Sequence, residues 1–262
     1  MPEQIRIGNL TALAAQPTRA THPPVLFVHG YYAQASVWEH WLPFFSARGF
    51  PVYAVNLRGR RGSRPGTQLG GVSVNDYVAD ALEVAQFLGR PFVVGHSMGG
   101  LIAQRLAEFE AVRAAALITP APPRGIPLLS WKFVVKQLKL LPRALTSRVI
   151  EPNREDLREL AFNCVPQPLQ DAGLAELVSE SGRAGRELSL TGIPVDRRRV
   201  RCPLFVVAAE RDQFVPARIV ARVARRYSAP LRTIPGRGHM VIIEPGWEAL
   251  AAEVVARLEQ NG

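Results

Sequence analysis

The sequence predicts an α/β fold with a mostly parallel sheet, and three observations carry that expectation. Short apolar runs alternate with stretches whose apolar residues recur at helical spacing. Most of those runs are apolar at every position, as strands covered on both faces must be. One of them, "FVVG" at 92–95, leads directly through a glycine-flanked serine into a helical stretch.

Taken in order, "IRIGNLTALAA" mixes strand formers with Gly8 and Asn9 and reads as a short hairpin. After the break "THPP", "VLFVH" (25–29) is a strand buried on both faces. "ASVWEHWLPFFSARG" then reads as a helix with Val37, Trp41 and Phe45 on one side and Gly49 at its end. "PVYAVNL" (51–57) is a strand. "SVNDYVADALEVAQFLG" (73–89) is a helix that Ser73 caps, with Asp76 three residues on. The strand 92–95, the helix 99–109 and the strand 114–119 follow.

The rhythm then stops. About eighty residues separate Thr119 from the next buried strand, "PLFVVAA" (203–209), far more than a crossover needs. Helical stretches at 130–145, 153–162 and 168–180 and a Gly/Arg-rich return fill the gap. The expected organisation is therefore a core of 1–119 and 196–262 with a helical cap of 120–195 inserted in it. A helix "ARIVARVARRY", a strand "PLRTIP" and a terminal helix at 247–259 complete the core.

Composition bounds the function. With 262 residues, 47% of them hydrophobic, the chain can bury a sizeable core. Its apolar runs stop short of the ~18–20 residues of a membrane-spanning helix, and "MPEQIRIGNL" lacks a signal-like apolar segment. The expectation is a soluble cytoplasmic protein. The net charge of +10 rests mainly on arginine, clustered in "RGRRGSR" (58–64) and "DRRRVR" (196–201). Neither cluster has interleaved aromatics or a recognisable binding module, which argues against nucleic acid as a partner. The histidines form no H-x-H or H-x-x-x-H pair, so no metal and no cofactor is expected. Cys164 and Cys202 read as free buried thiols; a bridge requires both to lie where the cap meets the core.

An open parallel sheet gathers ligand groups at the carboxyl ends of its strands, and three chemistry-bearing side chains fall there. Ser97 lies in G-x-S-x-G, where a strained strand-to-helix turn leaves room only for glycine two residues before and two after. Its hydroxyl needs a base, and His239 in "PGRGHM" follows the last strand. The imidazole needs a carboxylate, and Asp212 in "AAERDQFVP" is preferred to Glu210, which sits nearer the strand. An oxyanion needs two donors: the N–H of Met98, and the N–H of Tyr31 in "HGYYA". His96 reads as packing and His29 as an organiser of its loop.

Together, "HGYY", "LRGRRGS", "GHSMGG", "AAERDQFVP" and "GRGHM" resemble the α/β-hydrolase fold family, in its esterase and lipase-like branch with a helical cap. The resemblance spans about 24–259. It implies a mostly parallel sheet of about eight strands flanked by helices, a Ser97–Asp212–His239 triad and an oxyanion hole at Tyr31 and Met98. One departure is Arg60, where family members usually carry histidine; the expected effect is local packing. Family members that are haloalkane dehalogenases or epoxide hydrolases carry aspartate in place of Ser97. A serine fits ester hydrolysis first. It also fits cofactor-free haloperoxidase or perhydrolase chemistry, lysophospholipase or monoacylglycerol lipase activity, or a catalytically silent member that binds a small ligand.

In 130–145, Trp131, Val134, Val135, Leu138 and Leu141 share one side while Lys132, Lys136, Lys139 and Arg143 share the other. Such a helix can lie on an anionic membrane surface or close over a pocket. The second is favoured because the apolar side must bury something. The expected substrate is an ester with a medium-sized apolar acyl or aryl group, packed near Tyr32, Trp131, Phe133 and Leu138. The chain is expected as a monomer or homodimer.

Overall fold

The structure, a computed structural model, describes residues 2–128 and 147–261. The eight-stranded sheet runs in the order β1 (Glu3–Ile7), β2 (Leu10–Ala15), β4 (Val52–Asn56), β3 (Val25–Val28), β5 (Phe92–His96), β6 (Ala115–Ile118), β9 (Leu204–Ala209), β10 (Leu231–Ile234). Only the β1–β2 and β2–β4 pairs are antiparallel; every pair from β4 to β10 is parallel. The expected architecture is the observed one.

Strands β3, β5, β6 and β9 are buried at every residue, which is why their sequences show no alternation. One face packs on α2 (Val74–Phe87), α3 (Met98–Glu108) and α7 (Ala217–Tyr227). The other packs on α1 (Trp41–Ser46) and α8 (Trp247–Glu259), where Trp38, Trp41 and Phe45 surround Phe27. Ser73 caps α2 as expected, in a reciprocal capping box with Asp76.

Three elements differ from the sequence reading. The single helix expected before Gly49 is a 3₁₀ turn, Ala35–Trp38, followed by α1. Pro43 lies in the first turn of α1, where its missing N–H leaves no intrahelical bond unmade, so it sets where the helix begins. Between β6 and β9, α4 is Arg154–Leu160 and α5 is Gln167–Ala175, so the second helix stops five residues before the expected position 180. Beyond it the backbone is claimed by the core, since Val178 N–H donates to Tyr32 O at 2.9 Å. Glu180–Ser181 then forms β8, which pairs with β7 (Val149–Ile150). The Gly/Arg-rich return is helical, with Ser181 capping α6 (Gly182–Arg186) before a π turn at Glu187–Thr191. The basic stretch 130–145, with Trp131, Phe133 and Leu138, lies outside the described residues. No helix among the described residues is long and apolar enough to cross a membrane.

Candidate active site

Ser97 sits between β5 and α3 with φ 55° and ψ −117°, a backbone conformation that costs a non-glycine residue about 1–3 kcal/mol. The close packing of that corner explains its glycines. A Cβ on Gly95 would lie 2.3 Å from Gly99 O, and one on Gly99 would lie 2.1 Å from Val28 O. Ser97 N–H donates to Ile118 O at 3.0 Å, and Ser97 O accepts from Ala121 N–H at 2.9 Å, so the corner is tied to β6 and the residues after it.

His239 and Asp212 come from separate loops beyond β10 and β9, and they meet. His239 Nδ1 is 2.8 Å from Asp212 Oδ2. A carboxylate only accepts, so Nδ1 carries a proton, and in the neutral ring Nε2 then presents its lone pair. Asp212 Oδ1 is held by the N–H groups of Phe214, at 2.8 Å, and Val215, at 2.7 Å. Both side chains are almost fully buried. Glu210, the competing carboxylate, instead accepts from Gly236 N–H at 2.7 Å in the same loop system.

The loop after β3 faces Ser97 closely: a Cβ on Gly30 would lie 3.1 Å from Ser97 Cβ. Among the described residues, the N–H groups of Tyr31 and Met98 have no hydrogen-bond acceptor. Tyr32 continues the turn at φ 63°. His29 organises this loop as expected, donating from Nδ1 to Gly30 O at 2.9 Å and accepting at Nε2 from Leu57 N–H at 3.3 Å. Burial, with the nearby Arg60 charge second, lowers its pKa to about 3.

The chain matches the model of the alpha/beta hydrolase family over residues 25–253. It belongs to that family. A non-heme haloperoxidase of Rhodococcus erythropolis is 28% identical over 246 residues, covering 82% of this chain and 85% of that protein. A solved hydrolase from Pseudomonas aeruginosa superposes with a TM-score of 0.75 at 19% identity over 98% of each chain. A monoacylglycerol lipase from Paleococcus ferrophilus does so with 0.73 at 21%, over 97% of this chain and 99% of its own. Those two superpositions speak to the hydrolase fold.

Around this candidate site of the hydrolase fold, several residues do more than their sequence positions suggested. His96 does not merely pack: its Nε2 donates to the backbone oxygen of His239 at 2.9 Å, and the two rings lie 4.9 Å apart. Thr119 Oγ1 donates to the same oxygen at 3.3 Å. Burial, followed by the His239 charge, lowers the His96 pKa to about 3, so it acts as a neutral clamp on the loop that carries His239. Phe214 stacks on the His239 ring with centroids 5.0 Å apart. Glu244, buried one turn beyond His239, accepts from Gly238 N–H at 2.9 and 3.2 Å. Burial raises its pKa above the ordinary carboxylate value.

Arg60, expected to affect only local packing, is fully buried and reaches across to β8, where it is paired with Glu180. Burial alone would lower the guanidinium's pKa, yet Glu180 and Tyr77 together hold it above its ordinary value. Sequence spacing carried no signal for Glu180, which lies 120 residues from its partner.

Tyr32 is buried in a cluster with Ile150, Leu157, Phe162, Leu174 and Met240, where the 149–175 elements meet the core. Cys164 and Cys202 are both unpaired and only half-buried. Among the described residues no group of three His, Cys, Asp or Glu side chains is arranged to hold a metal ion.

Proposed function

We propose that this protein is a serine hydrolase of carboxylic esters. Ser97 Oγ attacks the ester carbonyl while His239 Nε2 takes its proton, and the oxyanion is received by the N–H groups of Tyr31 and Met98. His239 then returns the proton to the departing alcohol, leaving an acyl group on Ser97. Water, deprotonated by the same imidazole, attacks the acyl carbon, and the imidazolium gives that proton to Ser97 Oγ as the acid leaves. Asp212 keeps the proton on Nδ1 and stabilises the imidazolium.

The observations that support this reading are the 2.8 Å bond from His239 Nδ1 to Asp212 Oδ2 and, after β5, a serine whose backbone is held in a strained corner. A packing histidine needs no buried carboxylate on one nitrogen, and a mere turn serine needs no φ of 55°. The residues between β6 and β9 act as the cap. A medium-sized acyl or aryl group would pack at the apolar side that Tyr32 shares with Ile150 and Phe162.

A p-nitrophenyl ester series tests both levels. Wild type gives a burst of p-nitrophenol equal to the enzyme concentration, with higher kcat/KM for hexanoate or octanoate than for acetate. Ser97→Ala gives no burst and no labelling by a fluorophosphonate. A burst that survives in Ser97→Ala removes the serine mechanism; preference for acetate removes only the apolar acyl site.

The Rhodococcus haloperoxidase supports a second reading, in which peroxide replaces water against an acyl-enzyme at the same serine. Peroxide-dependent bromide oxidation in acetate buffer, lost in Ser97→Ala, supports it; its absence leaves ester hydrolysis alone.

A further inference from the structure

Tyr32, the residue after the candidate oxyanion donor Tyr31, has both of its backbone polar atoms taken up by the segment between β6 and β9. Its N–H donates to Glu180 Oε2 at 3.3 Å, and its O accepts from Val178 N–H at 2.9 Å. Tyr31 is held there too, through its hydroxyl, which donates to Ser181 O at 2.7 Å. The backbone at Tyr32 has φ 63°, a turn that a tyrosine does not adopt unaided.

The Glu180 carboxylate is saturated. Oε2 accepts from Tyr32 N–H and Arg60 Nη2, and Oε1 accepts from the Tyr77 hydroxyl and from Ser181 N–H. Arg60 is held on all three of its nitrogens: Nε donates to Ala33 O at 3.2 Å, Nη1 to Arg58 O and the Tyr77 hydroxyl at 3.1 Å, and Nη2 to Glu180. The buried pair therefore grips the loop at two adjacent residues, an N–H at 32 and a carbonyl at 33. Replacing such a pair with apolar groups of similar volume is often neutral or stabilising, so stability alone is a poor reason for it.

We infer that Glu180, supported by Arg60, is a positioning residue: it fixes the 30–33 loop in the conformation that aims Tyr31 N–H at the developing oxyanion. This rests on the ester-hydrolase reading above. It makes the segment between β6 and β9 part of the catalytic geometry and not only a cover, and it gives Arg60 a task beyond packing.

Two double variants separate positioning from stability. Arg60→Met with Glu180→Leu removes both charges and the acceptor for Tyr32 N–H. Arg60→Met with Glu180→Gln removes both charges and keeps an amide oxygen at that place. The expected result is that both pairs stay folded by circular dichroism at the assay temperature, with kcat about 10²-fold below wild type in the leucine pair, KM nearly unchanged, and substantial recovery in the glutamine pair. Affinity for a boronic acid, which mimics the tetrahedral adduct, falls in step with kcat/KM. A leucine pair with wild-type kcat, or two variants that lose kcat equally, overturns the inference.

Hydrogen exchange on wild type needs no variant to fold: the Tyr32 amide should be protected like those of β3, and exchange at the rate of an open loop also overturns it. If wild type neither turns over esters nor labels at Ser97, the hydrolase reading falls and takes this inference with it. An active wild type with an unaffected leucine pair removes the positioning role alone.

Discussion

Two buried acid–base pairs flank the site, and they are built to opposite ends. In Asp212–His239 the carboxylate is satisfied on both oxygens, yet among the described residues the imidazole is bonded through Nδ1 alone, which suits its second nitrogen to the proton exchange proposed above. In Glu180–Arg60 every polar atom has a partner, and burial leaves both side chains 0% exposed. A pair with one open valence can do chemistry; a closed pair can only hold shape. The cost of desolvating charge is met in both; in the proposed reading it serves a reactive group in one and a fixed loop in the other.

The sharpest way to break this contrast is to close the open pair. In Asp212→Asn the amide oxygen should remain with the N–H groups of Phe214 and Val215, which turns the NH₂ toward His239 Nδ1 and forces the ring proton to Nε2. That tautomer cannot accept from Ser97, and kcat for p-nitrophenyl esters should fall about 10⁴-fold with the fold intact by circular dichroism. A loss under tenfold would mean that Asp212 does not set the tautomer.

Acid should act next, through the neutral histidines beside the two pairs. His29 lies near Arg60 and His96 near His239, and burial lowers both pKa values to about 3 from 6.5. Between those values the unfolded chain binds protons that the folded chain refuses, so stability declines as pH falls through that window. Each histidine adds a slope of up to about 1.4 kcal/mol per pH unit. Denaturant titrations from pH 7 to 4 check this, and His96→Asn should flatten the slope. An identical slope in that variant would show that His96 takes up its proton without loss of the fold.

A control away from both pairs sets the scale. Ser73→Ala removes the side-chain acceptor of the α2 capping box. It should lower stability by about 1 kcal/mol, read from the urea midpoint, with kcat unchanged.

Much of the open pair was legible in the chain. Gly95 and Gly99 announce the corner at Ser97, because only hydrogen fits where the backbones of 28, 95 and 99 meet. Asp212 is legible as a residue just beyond the buried strand β9 and His239 as one beyond the edge strand β10, since a parallel sheet brings all such ends to one edge. The closed pair was not legible. Arg60 read as one more basic residue in a loop, and Glu180 fell within an expected helix that in fact ends at Ala175.

What the sequence determined by itself is the sheet, its covering helices and the side chains delivered to its edge, because strand burial, helical period and turn geometry are set by near neighbours. The meeting of Glu180 with Arg60 and Tyr32, and the clamp of His96 on the His239 loop, were decided only in the folded chain. Such contacts depend on where a long excursion lands, and an ion pair closed across 120 residues leaves no periodicity to read.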